Sequence, residues 1–236
     1  MTPQQLTATV EYSRHLAGNF LSLALRLDQK VEYEAGQYLS LQVNPEGERR
    51  SYSLASWPSQ PKLELVVDTT PMGKGSKFIL GLKPGDEVPI LFPLGRFTIE
   101  QTVGTVIDRR LIFIATGSGI VPLRSMIHSL LEDKQYRGPV DLHWGMRFQD
   151  DLFWVQEFEN LATSFSNFKF DISLSKADDR WHACWGHVND CLVKHYQTFS
   201  GGSAFICGNE VVIADVAKLL AKKGMPPSQI FHEQFF

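Results

Sequence analysis

The hydrophobic period of this chain changes once, within EQTVGTVIDRR (100–110), and that change decides its architecture. Before it come short alternating or β-rich runs: LSLALRL (21–27), QYLSLQV (37–43), SYSLAS (51–56), LELVVDT (63–69) and DEVPILFP (86–93). Turn-forming AGQ, NPEGE, SWPSQPK and LKPGDE separate them, which suggests a small antiparallel barrel or sandwich. One helical interruption is expected at GSKFILGL, with Ser76 as its cap. After the change, RLIFIATG (110–117) is a continuous apolar run, as for a strand buried on both faces. There follow the helix-like PLRSMIHSLLED, the strand VDLHWGM, the helix FWVQEFENLA, the strand FKFDISLS, the helix VNDCLVKHY, the strand SAFICG and the helix VVIADVAKLLAKKG. Strand–helix alternation of this kind implies a parallel, doubly wound sheet.

Composition narrows the partners. A length of 236 residues suits two modest domains, and a net charge of −3 without a basic run argues against nucleic acid. MTPQQLTATVEYSRH lacks the apolar core of a signal peptide, and no apolar segment reaches membrane-spanning length. Three unevenly spaced cysteines do not make a disulfide framework, so a reducing cytoplasm is the expected setting.

Four stretches carry chemistry. In RRSYSLAS, strand alternation puts Arg50, Tyr52 and Leu54 on one face and Ser51, Ser53 and Ala55 on the other. A cation and a flat ring roughly 6–7 Å apart along that face could hold a phosphate and an aromatic cofactor together. IATGSGIVPLRSM ends a strand in a turn at Thr116–Gly119, with Pro122 in the first helical turn. Glycine lets a ligand approach the backbone, and the free N–H groups of a helix start suit a pyrophosphate. The third glycine of the G-x-G-x-x-G fingerprint is absent. FICGN sets Cys207 and Gly208 at a later strand end, the carboxyl edge where open α/β sheets bind ligands. The final FHEQFF offers an acid, Glu233, among aromatics, and such a terminus is expected to dock.

Taken together these stretches resemble the ferredoxin–NADP reductase superfamily of flavoenzymes over essentially the whole length. Its R-x-Y-S motif stands here as Arg50-Ser51-Tyr52-Ser53, its glycine–serine turn as GKGSKF, and FPLGRF resembles the segment that closes its barrel. TGSGIVP looks like its nicotinamide loop, and CGN stands where the family has a Cys-Gly pair. WGMRFQDDLFWVQEFENLA resembles bacterial NAD(P)H–flavin reductases and oxygenase reductases, and EQF the family's acid-x-aromatic ending. The resemblance implies a flavin-binding antiparallel Greek-key β-barrel over residues 1–103 and a nicotinamide-binding α/β domain over 104–236. FAD would lie with Arg50, Lys74, Gly75 and Ser76 at its pyrophosphate, Tyr52 on its ring, Ser53 near its N5, and Phe235 and Phe236 at its edge. NADPH or NADH would lie along Thr116, Gly117, Gly119, Pro122, Cys207 and Gly208. Ser53, Cys207 and Glu233 would be the catalytic groups, with Glu233 polarising the site or relaying a proton.

The finer expectations follow. A 2′-phosphate would find Ser175, Lys176 and Arg147, with Arg180 close by and Asp178 and Asp179 opposing, a slight lean toward NADPH. HACWGHVNDC brings His182, Cys184, His187 and Cys191 within ten residues, but their spacing matches no common zinc pattern, so no metal is expected; Cys191 should face inward. Three scattered cysteines cannot ligate an iron–sulfur cluster, so electrons would pass to a separate acceptor: a ferredoxin, an oxygenase component or free flavin. No extension after SWPSQPK is there to clamp an adenine, so FAD would be loose or bent. A non-catalytic electron-transfer or regulatory subunit is the other class of reading, and it predicts loss of Tyr52, Ser53 or the terminal acid, all of which are present. The chain is expected to act as a monomer.

Overall fold

The computed structural model describes residues 2–70, 72–100 and 109–234. Six antiparallel strands come first: β1 (Gln4–Ala17), β2 (Phe20–Arg26), β3 (Tyr38–Gln42), β4 (Arg49–Ser53), β5 (Leu63–Asp68) and β6 (Glu87–Leu94), with helix α1 (Lys74–Gly81) before the last. Their order is β4-β3-β6-β1-β2-β5. A bridge from Leu54 to Leu65 and a hydrogen bond from the Ala55 N–H to the Glu64 carbonyl join the two ends, closing the sheet into a barrel. Closure removes the edge strands that would otherwise invite aggregation. Ala8, Val10, Leu23, Leu25, Leu39, Leu41, Leu65 and Phe92 fill its interior.

β1 was not among the strands expected from sequence. Its fourteen residues are mostly polar, yet Ala8 and Val10 alternate into the core while Glu11 and Arg14 face outward. Ser76 also departs from expectation. The helix begins two residues earlier behind Gly73, no side chain caps it, and the Ser76 hydroxyl donates to the Asp68 carbonyl at 3.4 Å instead. Buried in the first turn, Ser76 ties α1 to the end of β5.

The second half holds β7 (Leu111–Thr116), α2 (Ile120–His128), β8 (Val140–Met146), α3 (Val155–Ser164), β9 (Phe168–Leu174), β10 (Cys184–Trp185), α4 (Val188–His195), β11 (Ser203–Gly208), α5 (Glu210–Lys222) and β12 (Ile230–Gln234). All six strands are parallel in the order β10-β9-β8-β7-β11-β12. The chain leaves β7 in one direction and returns to lay β11 on its other side, so the order reverses between β7 and β11. Helices α2 and α3 cover one face, where Ile120, Leu123 and Phe158 meet Phe113, Leu142 and Trp144. Helices α4 and α5 cover the other, where Leu192 and Val216 meet Ile112, Ile114 and Ile206. Burial on both faces explains the unbroken apolar run of β7. The expected domain boundary at 103/104 lies outside the described residues.

The two halves share one core: Phe20, Ala35, Ala55, Val66, Phe97 and Ile99 of the first sit in the same cluster as α2 and Phe205. A buried polar clamp reinforces it. Arg124 of α2 donates to both Glu157 oxygens at 2.6 and 3.0 Å, to the Ala55 carbonyl at 2.9 Å and to Glu64 at 3.2 Å. His128 reaches Glu157 at 2.7 Å and stacks on Trp57 at 4.0 Å, and Ser125 donates to the Ser56 carbonyl at 2.6 Å. Burial works to raise the Glu157 carboxyl, but hydrogen bonds from His128 and Arg124 and the Arg124 charge hold it at about 2.

Candidate functional site

β4 alternates as its sequence requires. It pairs with β3 through Leu41–Arg50, Leu39–Tyr52 and Tyr38–Ser53. Arg50 and Tyr52 share a face above the start of α1, and Ser53 turns inward with 5% of its surface exposed. These residues, with Val66–Asp68, Gly73–Ser76, and Ser118 and Val121 from the second domain, line a cavity of about 380 Å³. That volume falls in the small-molecule range, and both domains contribute walls. Gly75 is there for space: a Cβ would drive into the Tyr52 hydroxyl and press on Arg50 Cγ. Burial raises the Tyr52 phenol, the Arg50 charge opposing it, so the ring presents a neutral hydroxyl.

Arg50 and Lys74 arrive together, bound to one acid. Glu48 accepts from Arg50 at 2.6 Å and from Lys74 at 2.7 Å, and hydrogen bonds from Lys74 and then Arg50 lower its pKa. Glu48 was not singled out from the sequence. Its place in a surface turn, NPEGE, gave no sign that it pairs with both cations.

The second wall is built at the strand reversal. β7 ends at Thr116, and Gly117–Gly119 form a 3₁₀ turn that leads into α2, with Pro122 in its first turn. Gly117 adopts φ +56°, and Trp144 Nε1 donates to its carbonyl at 3.0 Å. A Cβ on Gly119 would strike the Cys207 carbonyl, so the turn lies against the end of β11. This brings Thr116, Gly117, Gly119, Cys207 and Gly208 to one place, the crevice at which open α/β sheets bind ligands.

β12 supplies the group that joins the walls. It pairs in parallel with β11, setting Glu233 opposite Cys207. Ser53 Oγ donates to Glu233 Oε2 at 3.3 Å, a contact between barrel and sheet across 180 residues of sequence. Burial pushes the Glu233 carboxyl up to about 7, against the lowering effect of that hydrogen bond. Burial, and then the Glu233 charge, also push the Cys207 thiol well up, so it is a protonated, packed group rather than a thiolate nucleophile. Phe235 and Phe236 lie outside the described residues.

Arg147, Ser175 and Lys176 gather at the ends of β8 and β9. The Ser175 and Lys176 N–H groups donate to the Met146 and Arg147 carbonyls, each at 3.0 Å. Arg147 and Lys176 both flank the Phe148 ring, at 5.6 and 5.8 Å. Arg180 is turned onto Asp178 at 2.6 Å. The cysteines depart from expectation: although they form no framework, Cys184 and Cys191 are joined in a disulfide, and Cys207 is free. Cys191 is buried, as anticipated, but the histidine beside the pair is His195 rather than His182 or His187.

The FAD requires a phosphate cradle, a ring platform and a backbone without side-chain obstruction, and the residues present fit it. Arg50, Lys74 and the uncapped N–H groups of α1 converge beside Tyr52, and Gly75 leaves the approach open. Comparison with known proteins agrees. The family described as Oxidoreductase FAD-binding domain matches residues 5–99, and Oxidoreductase NAD-binding domain matches residues 113–218. Ferredoxin–NADP reductase B of Sorangium cellulosum is 31% identical over 216 residues, covering 86% of this chain and 85% of that protein. The reductase component of phenol 2-monooxygenase from Pseudomonas sp. (strain CF600) is 32% identical over 236 residues, covering 98% of this chain and 64% of that one. The crystal structure of the Amycolatopsis cytochrome P450 reductase GcoB superposes with a TM-score of 0.92 at 29% identity, over 99% of this chain and 70% of its own. The chain spans about half the length, 53%, of several other curated relatives it matches. With its FAD-binding barrel and NAD-binding sheet, the chain belongs to the ferredoxin–NADP reductase family.

Proposed function

We propose that the chain oxidises NADPH or NADH through bound FAD and delivers the electrons to a separate protein acceptor, a ferredoxin or an oxygenase component. The Ser53–Glu233 hydrogen bond carries this reading, because it joins a flavin-type barrel to the nucleotide crevice at the mouth of one cavity. Bound FAD would supply a two-electron acceptor able to return its electrons one at a time. The chain's own contribution is position and proton control. Arg50, Lys74 and the start of α1 would bind the pyrophosphate, which would compete with Glu48 for the two cations. Tyr52 would pack against the ring. Thr116–Gly119 and Gly208 would bind the nucleotide, and Cys207 would fill the floor as a neutral thiol. Glu233, poised near neutrality, would hold a proton at its carboxyl and exchange it through Ser53 Oγ.

Arg147 and Lys176 around Phe148 would receive a 2′-phosphate, which supports NADPH over NADH. The name of the phenol 2-monooxygenase reductase component supports an oxygenase as acceptor. No helix among the described residues is long and apolar enough to cross a membrane. The reading keeps a cytoplasmic monomer, in which the Cys184–Cys191 pair would stand reduced.

The test is the spectrum of the purified protein. We expect bound flavin in near one-to-one ratio, bleached by anaerobic NADPH faster than by NADH, with the electrons recovered on an added ferredoxin. A colourless protein that reduces only added free flavin would replace this reading by that of a flavin reductase. A bound flavin that neither nucleotide bleaches would remove the catalytic reading.

A further inference from the structure

The far edge of the parallel sheet holds a second cluster that the flavin cleft does not use. β10 and the last turn of α4 bring Cys184, Cys191 and His195 together, with Cys184 Sγ, Cys191 Sγ and a His195 ring nitrogen all within 4.8 Å of one another. Cys184 Sγ lies 3.8 Å from His195 Nε2. From β8, His143 enters from the buried side, its Nδ1 at 3.9 Å from Cys191 Sγ. Asp171 of β9 stands beside both rings, 3.8 Å from His143 Nδ1 and 3.7 Å from His195 Nε2.

His143 extends that donor set. Its Nε2 lies 3.0 Å from the Tyr196 hydroxyl, and its Nδ1 lies on the side of Cys191 and Asp171. In the tautomer that donates its Nε2–H to the Tyr196 hydroxyl, Nδ1 offers a lone pair to this side. That lone pair, on a side chain 1% exposed, faces a carboxylate and a sulfur that carries no proton while the disulfide is closed. Two sulfurs and the His195 nitrogen lie close together, with His143 Nδ1 and the Asp171 carboxylate beside them, a donor set suited to a cation. A ring nitrogen whose partner nitrogen is fixed by an outer hydrogen bond is also how protein histidines are held for metals.

We infer that in the reduced protein Cys184, Cys191, His195 and His143 form a tetrahedral site for a zinc-class divalent cation. Zinc bonds of about 2.0–2.3 Å put tetrahedral sulfur and nitrogen ligands roughly 3.5 Å apart; the 3.8 and 3.9 Å sulfur–nitrogen separations are near that, and the two sulfurs would part, and His143 close in, once the disulfide opens. Two thiolates and two neutral imidazoles balance a 2+ charge, which suits a half-buried site. Cys184 is half-buried and His195 exposed, and a cavity of about 360 Å³ lined by Arg110, His195 and Tyr196 opens beside them, so an ion has a way in. The disulfide is then the oxidised, metal-free state. Opening it takes two electrons and two protons, supplied in a cell by a dithiol that closes to its own disulfide. Binding the cation then releases the two thiol protons to water. The site lies on β10, β9 and β8, with β7 between it and β11, and stands or falls independently of the flavin reading.

The test uses the whole protein with zinc and cobalt as probes. A water-soluble phosphine opens the disulfide, becoming phosphine oxide with oxygen and protons from water, and is then removed without air. We expect the reduced protein to retain one zinc per chain through dialysis. Cobalt should give thiolate charge-transfer bands and tetrahedral d–d bands to the red of flavin absorption. The oxidised protein should take up none. His195→Ala and Cys184→Ser should each weaken zinc binding by at least tenfold while flavin content and melting of the reduced, metal-free protein stay close to the parent's. Substoichiometric zinc in the fully reduced protein, or equal uptake by the oxidised protein, would overturn the site. So would stoichiometric zinc that survives Cys184→Ser.

Discussion

In the proposed function Glu233 is the proton-holding group, and burial sets its carboxyl near neutrality. Burial raises it from 4.5 to about 7, so the native chain holds a proton there that an unfolded chain would release above its ordinary value. Below 7 the side chain is neutral. Above 7 it is a buried anion beside the cleft that must receive negative charge during reduction, and like charges oppose each other across a few ångströms. Flavin reduction by excess NADPH should therefore slow at least fivefold as pH rises from 6 to 8.5, since even at the dielectric of water two like charges about 4 Å apart repel by about 1 kcal/mol. Glu233→Gln should hold the fast limb throughout. Ser53→Ala removes the one hydrogen bond that lowers the carboxyl, so its inflection should move above that of the parent. Anaerobic stopped-flow traces across pH read all three. A flat parent profile, or the same inflection in the Gln variant, takes Glu233 out of the mechanism.

At the scale of elements, α1 shows what a helix start can do when side chains stay out of it. Gly73 caps without a side chain, and Gly75 lets the first turn lie against Tyr52 and Arg50. Gly75→Ala should gain helix propensity and still lose flavin, because the methyl group pushes into the Tyr52 hydroxyl. We expect FAD affinity to fall at least tenfold by fluorescence titration. Gly81→Ala is the control, since a Cβ there meets nothing within 4 Å; it should add about 0.5–1 kcal/mol of stability and leave FAD affinity unchanged. If both variants bind FAD as the parent does, α1 is not the phosphate cradle. The same helix marks the limit of reading by sequence. Periodicity located β8 and β11 to the residue and β7 and β9 to within one, because buried parallel strands are short, largely apolar runs set between helical segments. It missed β1, β10 and β12, which are strands by virtue of their pairing partners. The R-x-Y-S stretch was legible because alternation fixes which side chains share a face. Glu48 and His195 were not, since each gains its role from a neighbour distant in sequence.

At the scale of the molecule, the cleft exists only while the two domains keep one angle, and the Arg124 clamp holds it. Arg124 sits on a helix that reads as amphipathic, so nothing in the sequence separated it from an exposed arginine, yet it is 7% exposed and reaches Ala55, Glu64 and Glu157 at once. Glu157 is the titratable end of that clamp. Its folded pKa, about 2, is below the ordinary 4.5, so it contributes stability that is fully present above 4.5 and is lost as pH falls toward 2. Glu157→Gln keeps the shape and removes the charge, leaving Arg124 half-paired in a buried setting. We expect it to lower stability by roughly 2 kcal/mol at pH 7, less than the full shift implies because Glu157 is partly exposed. The difference from the parent should shrink between pH 4.5 and 2, where the parent loses the same charge. Because the clamp spans the domain contact, the variant should also slow hydride delivery without weakening FAD, as the nucleotide crevice drifts from the barrel. Denaturant melts across pH and flavin reduction at pH 7 read the two effects. Equal stability of variant and parent at neutral pH would show that apolar packing around Phe97 and Phe205, rather than this charge network, sets the angle between the domains.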